Sequence, residues 1–205
     1  MARPRLVSDE DIIKAVRLGV LEQGPGVSLE VVASSLGITS PALFKRFGSR
    51  KALLMAALKP PEKPLYLDLL ENGPDDTAFE AQLAQVIESI LTFLKDQFPC
   101  MTALRESGLT SADLKRIHKE APGMRAVRAL DGWLKRATRD GLALVEDTTA
   151  AAMAILGACH TPVMISHFSH AYSGTLTLHK NDIAPYARNI ARLFSHGIHP
   201  RKRTP

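Results

Sequence analysis

The residues best suited to binding a ligand lie between Val31 and Pro61, a stretch with several cationic side chains and no acidic ones. Its cations are Lys45, Arg46, Arg50, Lys51 and Lys59. Lysine and arginine side chains bind phosphate oxygens, and a run of such residues attracts a polyanion. The pattern therefore indicates contact with the phosphate backbone of a nucleic acid.

The same stretch has the spacing of a helix-turn-helix, in which two short helices meet through small apolar contacts and a tight turn. The residues that meet this demand are Ala33, Leu36, Gly37, Ile38 and Leu43. Thr39 is predicted to cap the second helix, with Pro41 in its first turn, where a missing N–H has no cost. Short side chains at Ser40, Pro41 and Ala42 let the backbone approach base edges closely.

The rest of the chain is also predicted to be helical, so the fold class is all-α. Apolar residues recur at helical spacing, and neither a strand pattern nor an internal repeat is present. Ser8 is expected to cap a first helix, and Asp76 to begin a long helix that ends at Pro99. Prolines at positions 60, 61 and 64 mark the clearest break. We place the domain boundary there, between residues 1–59 and residues 60–205.

Composition narrows the class of protein. The 205 residues carry a formal net charge of +5, with a pI near 9.4, which fits an anionic partner. Cys100 and Cys159 are too few and too far apart for a disulfide framework, and they indicate reduced thiols. The longest apolar run, from Ala150 to Cys159, is half a membrane span. We expect a cytoplasmic protein that does not cross a membrane.

The basic stretch resembles the N-terminal signature of the TetR (tetracycline-repressor-like) family of bacterial transcriptional regulators. The resemblance covers residues 8–58 and rests on Val32-Ala33, Gly37-Ile38-Thr39, Leu43-Phe44, Arg46-Phe47, Arg50, and Leu53 or Leu54. Three positions depart from the family pattern: Phe44 stands for a tyrosine, Arg46 for a histidine and Arg50 for a lysine. Phe44 lacks the hydroxyl that would bond a phosphate, whereas both arginines keep a charge for it.

The resemblance implies how the chain binds double-stranded operator DNA. By position, Ser28, Lys45, Arg46 and Arg50 are expected to hold phosphates. Ser40, Pro41 and Ala42 are expected to face base edges, and Thr39 and Phe44 complete the set of DNA-binding residues. Since these offer few hydrogen bonds, direct readout of bases should be modest. Arg3 and Arg5 are either an arm that reaches a neighbouring minor groove or a disordered basic tail.

The resemblance further implies a homodimer formed by the last two helices and a small-molecule effector bound in a C-terminal helical bundle. The Ala- and Gly-rich face of Thr148–Cys159 favours close helix approach, with Ile190, Phe194 and Ile198 as further seam residues. Packing within one chain is the alternative. The prediction is a ligand-responsive regulator, namely a repressor that its effector releases from the operator. No cofactor and no catalytic residue is predicted.

Bulky or soft side chains in the second half are candidates to line the effector pocket, although each is also an ordinary core type. They are Phe98, Met101, Trp133, His160, Met164 and His167. The alternative function is a metal sensor or an all-α enzyme that uses His160, His167 and His170. Only His167 and His170 have the i, i+3 spacing usual for two ligands on one helix. No Gly-rich phosphate loop, nucleophile elbow or HExxH motif is present, so neither a metal nor an enzyme is predicted.

Overall fold

The computed structural model describes residues 7–108, 110, 112–113, 122–168 and 178–197. These residues form helices and turns and contain no β-strand, which confirms the predicted all-α class. The helices are α1 (Asp9–Gln23), α2 (Leu29–Ser35), α3 (Ser40–Phe47), α4 (Arg50–Leu58), α5 (Leu65–Asn72), α6 (Phe79–Glu106), α7 (Pro122–Arg139), α8 (Thr148–Phe168) and α9 (Ile183–His196), with a 3-10 turn at Lys180–Asp182. The predictions for Arg3, Arg5, His170 and Ile198 lie outside the described residues.

Two compact units divide the chain. The first comprises Met1–Pro61 and Asp96–Lys119, and the second comprises Glu62–Lys95 and Glu120–Pro205. The break after Pro61 lies two residues beyond the boundary proposed from the sequence. The first unit also contains the end of α6, which that proposal assigned to the second domain. Helices α1 to α4 therefore share their unit with a segment distant from them in sequence.

In the first unit, α1 to α4 and the end of α6 share one core. Its fully buried side chains include Ile12, Val16, Val20, Leu43, Leu53, Leu58, Cys100 and Leu104. Pro99 lies inside α6, so the prediction that it ends the helix is wrong. An interior proline costs about 3 kcal/mol. Burial of a single leucine such as Leu104 contributes roughly 1.5–3 kcal/mol, and Cys100 and Ala103 add to it, so the helix continues.

The second unit consists of α5, the first part of α6, α7, α8 and α9. Trp133 of α7 is buried and stacks on Phe79 of α6, with 5.5 Å between ring centroids. Arg136 of α7 donates to the carbonyl of Leu70 in the last turn of α5, where a cation complements the helix dipole. The aromatic contact holds α7 against α6, and the hydrogen bond of Arg136 holds α7 against α5.

The substitution Leu104→Ala tests whether the end of α6 belongs to the first core. We expect it to lower the free energy of unfolding by about 2–5 kcal/mol, because Leu104 is fully buried there. Thr92→Ala changes an exposed position of the same helix and should cost less than about 0.5 kcal/mol. Urea unfolding followed by circular dichroism measures both. If both substitutions lowered the free energy of unfolding by less than about 0.5 kcal/mol, the end of α6 would not belong to the first core.

Candidate DNA interface

The turn between α2 and α3 is closed by backbone hydrogen bonds. The amide of Gly37 donates to the carbonyl of Ser34, and that of Ile38 to the carbonyl of Ala33, each at 3.0 Å. Gly37 has a φ of +69°, a left-handed conformation that is costly for a residue with a Cβ. Ala33 is buried, and its small side chain lets the two helices approach. These features confirm the predicted helix-turn-helix geometry.

Each of the helices α2, α3 and α4 begins at a hydroxyl cap. The side chains of Ser28, Thr39 and Ser49 accept hydrogen bonds from the amides of Val31, Ala42 and Ala52, at 3.4, 3.4 and 3.1 Å. A helix N-terminus carries a positive partial charge and favours a phosphate that lies close to it. The Ser28 hydroxyl caps α2 by accepting the hydrogen bond from Val31. Contact of Ser28 with a phosphate stays a prediction.

The substitution Thr39→Ala removes the cap of the recognition helix α3. We expect it to lower the free energy of unfolding by about 1 kcal/mol, because one amide of the first turn loses its partner. Thr39→Ser keeps the hydroxyl and should recover most of that loss. Thermal unfolding of the three proteins checks the order of stability. A serine variant as unstable as the alanine variant would show that the cap is not the cause.

Helix α3 divides into an anchoring side and an exposed side. Leu43 is the fully buried residue of this helix, and half-buried Phe44 packs against the same core. Phe44 thus acts through packing, which needs no hydroxyl. Pro41 and Lys45 are exposed, and Ser40 and Ala42 are half-exposed. Ser40, Pro41, Ala42 and Lys45 therefore lie on the side of α3 that the core leaves open, and Phe44 does not.

Three of the predicted cations contact other parts of the first unit. Arg46 donates to the carbonyl of Val7 at 2.8 Å and pairs with Asp9, while Arg50 donates to the carbonyl of Val27 at 3.1 Å. Lys51 pairs with Asp113 at 2.8 Å, and the hydrogen bond from this ammonium holds the pKa of the Asp113 carboxyl well below its usual range. Lys45 is exposed and belongs to none of these pairs.

These partners were not predicted from the sequence. Asp9 and Arg46 are separated by more than thirty residues, so no local pattern indicates their contact. The contacts also leave the phosphate roles of Arg46 and Arg50 as predictions, since both side chains already have intramolecular partners.

The predicted pocket residues are divided between the two units. Phe98 and Met101 belong to the first unit, where half-buried Met101 packs on the helix-turn-helix core. The other four belong to the second unit: Trp133 is fully buried, His160 and His167 are half-buried, and Met164 is exposed. The pocket therefore stays a prediction.

The histidines of α8 do not form a recognisable metal site in the described part of the chain. His160 Nδ1 donates to the carbonyl of Leu156 at 2.8 Å, one turn earlier in the same helix. The ring of His167 lies against Phe168, with 5.1 Å between centroids. Among the described residues no group of three His, Cys, Asp or Glu side chains is arranged to hold a metal. His170 lies outside those residues, and no observation favours the metal or enzyme alternative.

One side of α8 is exposed in the protomer and consists of small and apolar residues. Its exposed positions recur at spacings of three and four: Ala150, Ala154, Gly157, Thr161, Met164 and Phe168. In α9, Leu193 and Phe194 are exposed as well. Of the described helices, α8 is the one with the length and composition that would allow a membrane span, and most of its apolar window is not buried.

Comparison of the whole fold with solved structures identifies its type. A TetR-family regulator from Thermus thermophilus, PfmR, is 19% identical and has a TM-score of 0.60, over 92% of this chain and 99% of that one. A TetR-family regulator from Mesorhizobium loti is 16% identical, with a TM-score of 0.63, over 91% and 94%. The chain has the TetR-regulator fold. No family model and no curated protein matches the sequence itself.

A third structure of the TetR-regulator fold extends the comparison. AibR, in complex with isovaleryl coenzyme A and operator DNA, is 18% identical, with a TM-score of 0.55, over 90% of this chain and 96% of that one. Because each of these matches covers nine tenths or more of both chains, the likeness extends beyond the helix-turn-helix. The fold resemblance predicted from residues 8–58 therefore holds for the chain as a whole.

Proposed function

We propose that this protein is a DNA-binding transcriptional regulator that acts as a homodimer. The observation that carries the proposal is the exposed side of α3, which joins a capped N-terminus, short side chains and Lys45 on a helix anchored by Leu43. A helix presented in this way enters the major groove, while nearby cations and helix N-termini hold phosphates. Ser28, Arg46 and Arg50 lie at the margins of this surface as candidate backbone contacts.

We infer that α8 and α9 form the dimer seam. Alanine and glycine on the exposed side of α8 allow the backbones of two helices to come close, and Leu193 and Phe194 of α9 supply apolar area beside them. A membrane span is the competing explanation for an apolar α8. The same helix packs along the charged α7 and carries half-buried His160 and His167, which favours a seam in an aqueous, cytoplasmic protein.

We further propose that a small molecule bound in the second unit controls DNA binding, and that the regulator is a repressor. The complex of AibR with both an acyl-coenzyme A and operator DNA supports this mode of action for the fold. An effector that binds one arrangement of the dimer more tightly shifts the population toward it. If that arrangement misplaces the two recognition helices relative to half-sites about 34–36 Å apart, the operator is released. No catalytic step and no cofactor is part of this proposal.

The proposal is tested by DNA selection from sheared genomic fragments of the host, followed by mobility shifts on the enriched sequences. The native protein should enrich discrete sites and shift them at nanomolar concentration in about 0.15 M salt. Lys45→Glu reverses a charge at an exposed position and should abolish the shift while leaving the melting temperature unchanged. Enrichment that is identical for the native and Lys45→Glu proteins would contradict the assignment of α3 as the reading helix.

A further inference from the structure

Arg46, in the last turn of the recognition helix, reaches the beginning of α1. Its Nη1 donates to the carbonyl of Val7 at 2.8 Å, and its Nη2 pairs with a carboxylate oxygen of Asp9. Asp9 is the first residue of α1, where the helix dipole favours a negative charge. The Arg46 and Asp9 side chains are 34% and 60% exposed, so a DNA phosphate that approaches one of them also meets the other.

The carboxylate changes what Arg46 contributes to DNA binding. The opposite charges are in contact, and beyond their own separation the field of the pair approaches that of their sum. Since that sum is close to zero, Arg46 adds little to the release of counterions that makes DNA binding depend on salt. Lys45, the preceding residue, is exposed and stands outside this pair.

The pair also holds α3 in place. This helix has eight residues, with Leu43 as its one fully buried side chain and the Thr39 cap at its N-terminus. Half-buried Phe44 and Phe47 pack on the same core, and the guanidinium of Arg46 adds a polar anchor at the C-terminal end by joining it to Val7 and Asp9. A planar guanidinium offers five N–H donors in a fixed arrangement, which suits contact with two acceptors at once.

We propose that Asp9 neutralises Arg46, so that Arg46 is a positioning residue for the recognition helix and Lys45 supplies the charged phosphate contact of α3. This inference rests on the proposed function, because it concerns how the same helix meets DNA. It reverses the simplest expectation from the sequence, in which Lys45 and Arg46 contribute equally as phosphate contacts.

The test is the salt dependence of binding to a fluorescein-labelled duplex of 30 base pairs and mixed sequence, measured by anisotropy between 50 and 200 mM salt. Lys45→Gln should reduce the slope of log K against log salt by about 0.9, the value for one lost phosphate contact. The double variant Asp9→Asn/Arg46→Gln replaces a neutral pair with two neutral side chains and should change the slope by less than about 0.3. Asp9→Asn should steepen it by about 0.9 and raise the affinity roughly eightfold at 0.1 M salt. Adding Arg46→Gln to Asp9→Asn should remove that gain.

Two further variants separate positioning from general charge effects. Arg46→Lys keeps the charge opposite Asp9 but cannot reach both acceptors, so it should weaken binding while keeping the native slope. Glu10→Gln removes a neighbouring negative charge and should affect the slope less than Asp9→Asn. Thermal unfolding confirms that each variant is folded at the assay temperature.

The outcomes that overturn the inference are distinct from those that overturn the proposed function. A slope reduced by Asp9→Asn/Arg46→Gln as much as by Lys45→Gln makes Arg46 an ordinary phosphate contact, with DNA binding itself intact. If Glu10→Gln and Asp9→Asn changed the slope equally, Asp9 would act only through general repulsion of the DNA. A native protein without salt-dependent binding to the duplex contradicts the proposed function and this inference with it.

Discussion

The substitution Gly157→Leu is expected to convert the dimer to a monomer and to lower the affinity for operator DNA by about 10²–10⁴-fold, because two linked heads bind far more tightly than one. Gly157 lies in the middle of the exposed side of α8. A Cβ added there meets no atom within 4 Å in the protomer, so the fold has room for a side chain. A leucine would instead separate two helices that approach each other at this residue.

Sedimentation velocity measures the oligomeric state, and mobility shifts measure the affinity. Gly123→Leu is the matched control, since Gly123 is also exposed and a Cβ there meets no atom within 4 Å. That variant lies outside the proposed seam and should stay dimeric. A Gly157→Leu protein that remains a dimer with native affinity would show that the seam does not include this side of α8.

The substitution Leu43→Ala is expected to lower the free energy of unfolding by about 2–5 kcal/mol and to abolish specific DNA binding. Leu43 is fully buried and is the main apolar anchor of α3, so its truncation leaves a cavity under the recognition helix. A helix of eight residues has little stability without such packing. The recognition helix should therefore lose its orientation before the rest of the first unit unfolds.

Urea unfolding and mobility shifts together check this expectation. Val31→Ala is the control, because Val31 is an exposed apolar residue of α2 with 59% of its surface accessible. It should cost less than about 0.5 kcal/mol and leave DNA binding unchanged. Native affinity in the Leu43→Ala protein, at a temperature where it is folded, would mean that α3 is held by contacts other than this one.

Local features of the fold were predictable from the sequence because they depend on neighbouring residues. Ser8 and Thr39 form caps through amides three residues later, and Gly37 adopts the left-handed conformation that the turn requires. The prediction that Pro99 ends α6 is wrong because it too used only neighbouring residues. Local rules assign a proline to a helix end, whereas burial of Leu104 and its neighbours in a distant core keeps α6 continuous.

The charges of the candidate site were predictable only in part. The types and spacing of Lys45, Arg46 and Arg50 indicated a phosphate-binding surface, but the partners of the two arginines come from segments distant in sequence. A pairing such as that of Arg46 with Asp9 depends on how α1 and α3 pack, which no local pattern encodes. The same limit applies to the effector pocket, because its predicted residues come from both compact units.

Hydroxyl-radical footprinting on a fragment enriched by the native protein shows whether two copies of α3 read DNA together. Two protected segments are expected on one side of the duplex. Their centres should be separated by one helical turn, about 34–36 Å, or by a multiple of it, and both should be lost together in Gly157→Leu. A single protected segment would contradict the reading of DNA by two copies of α3.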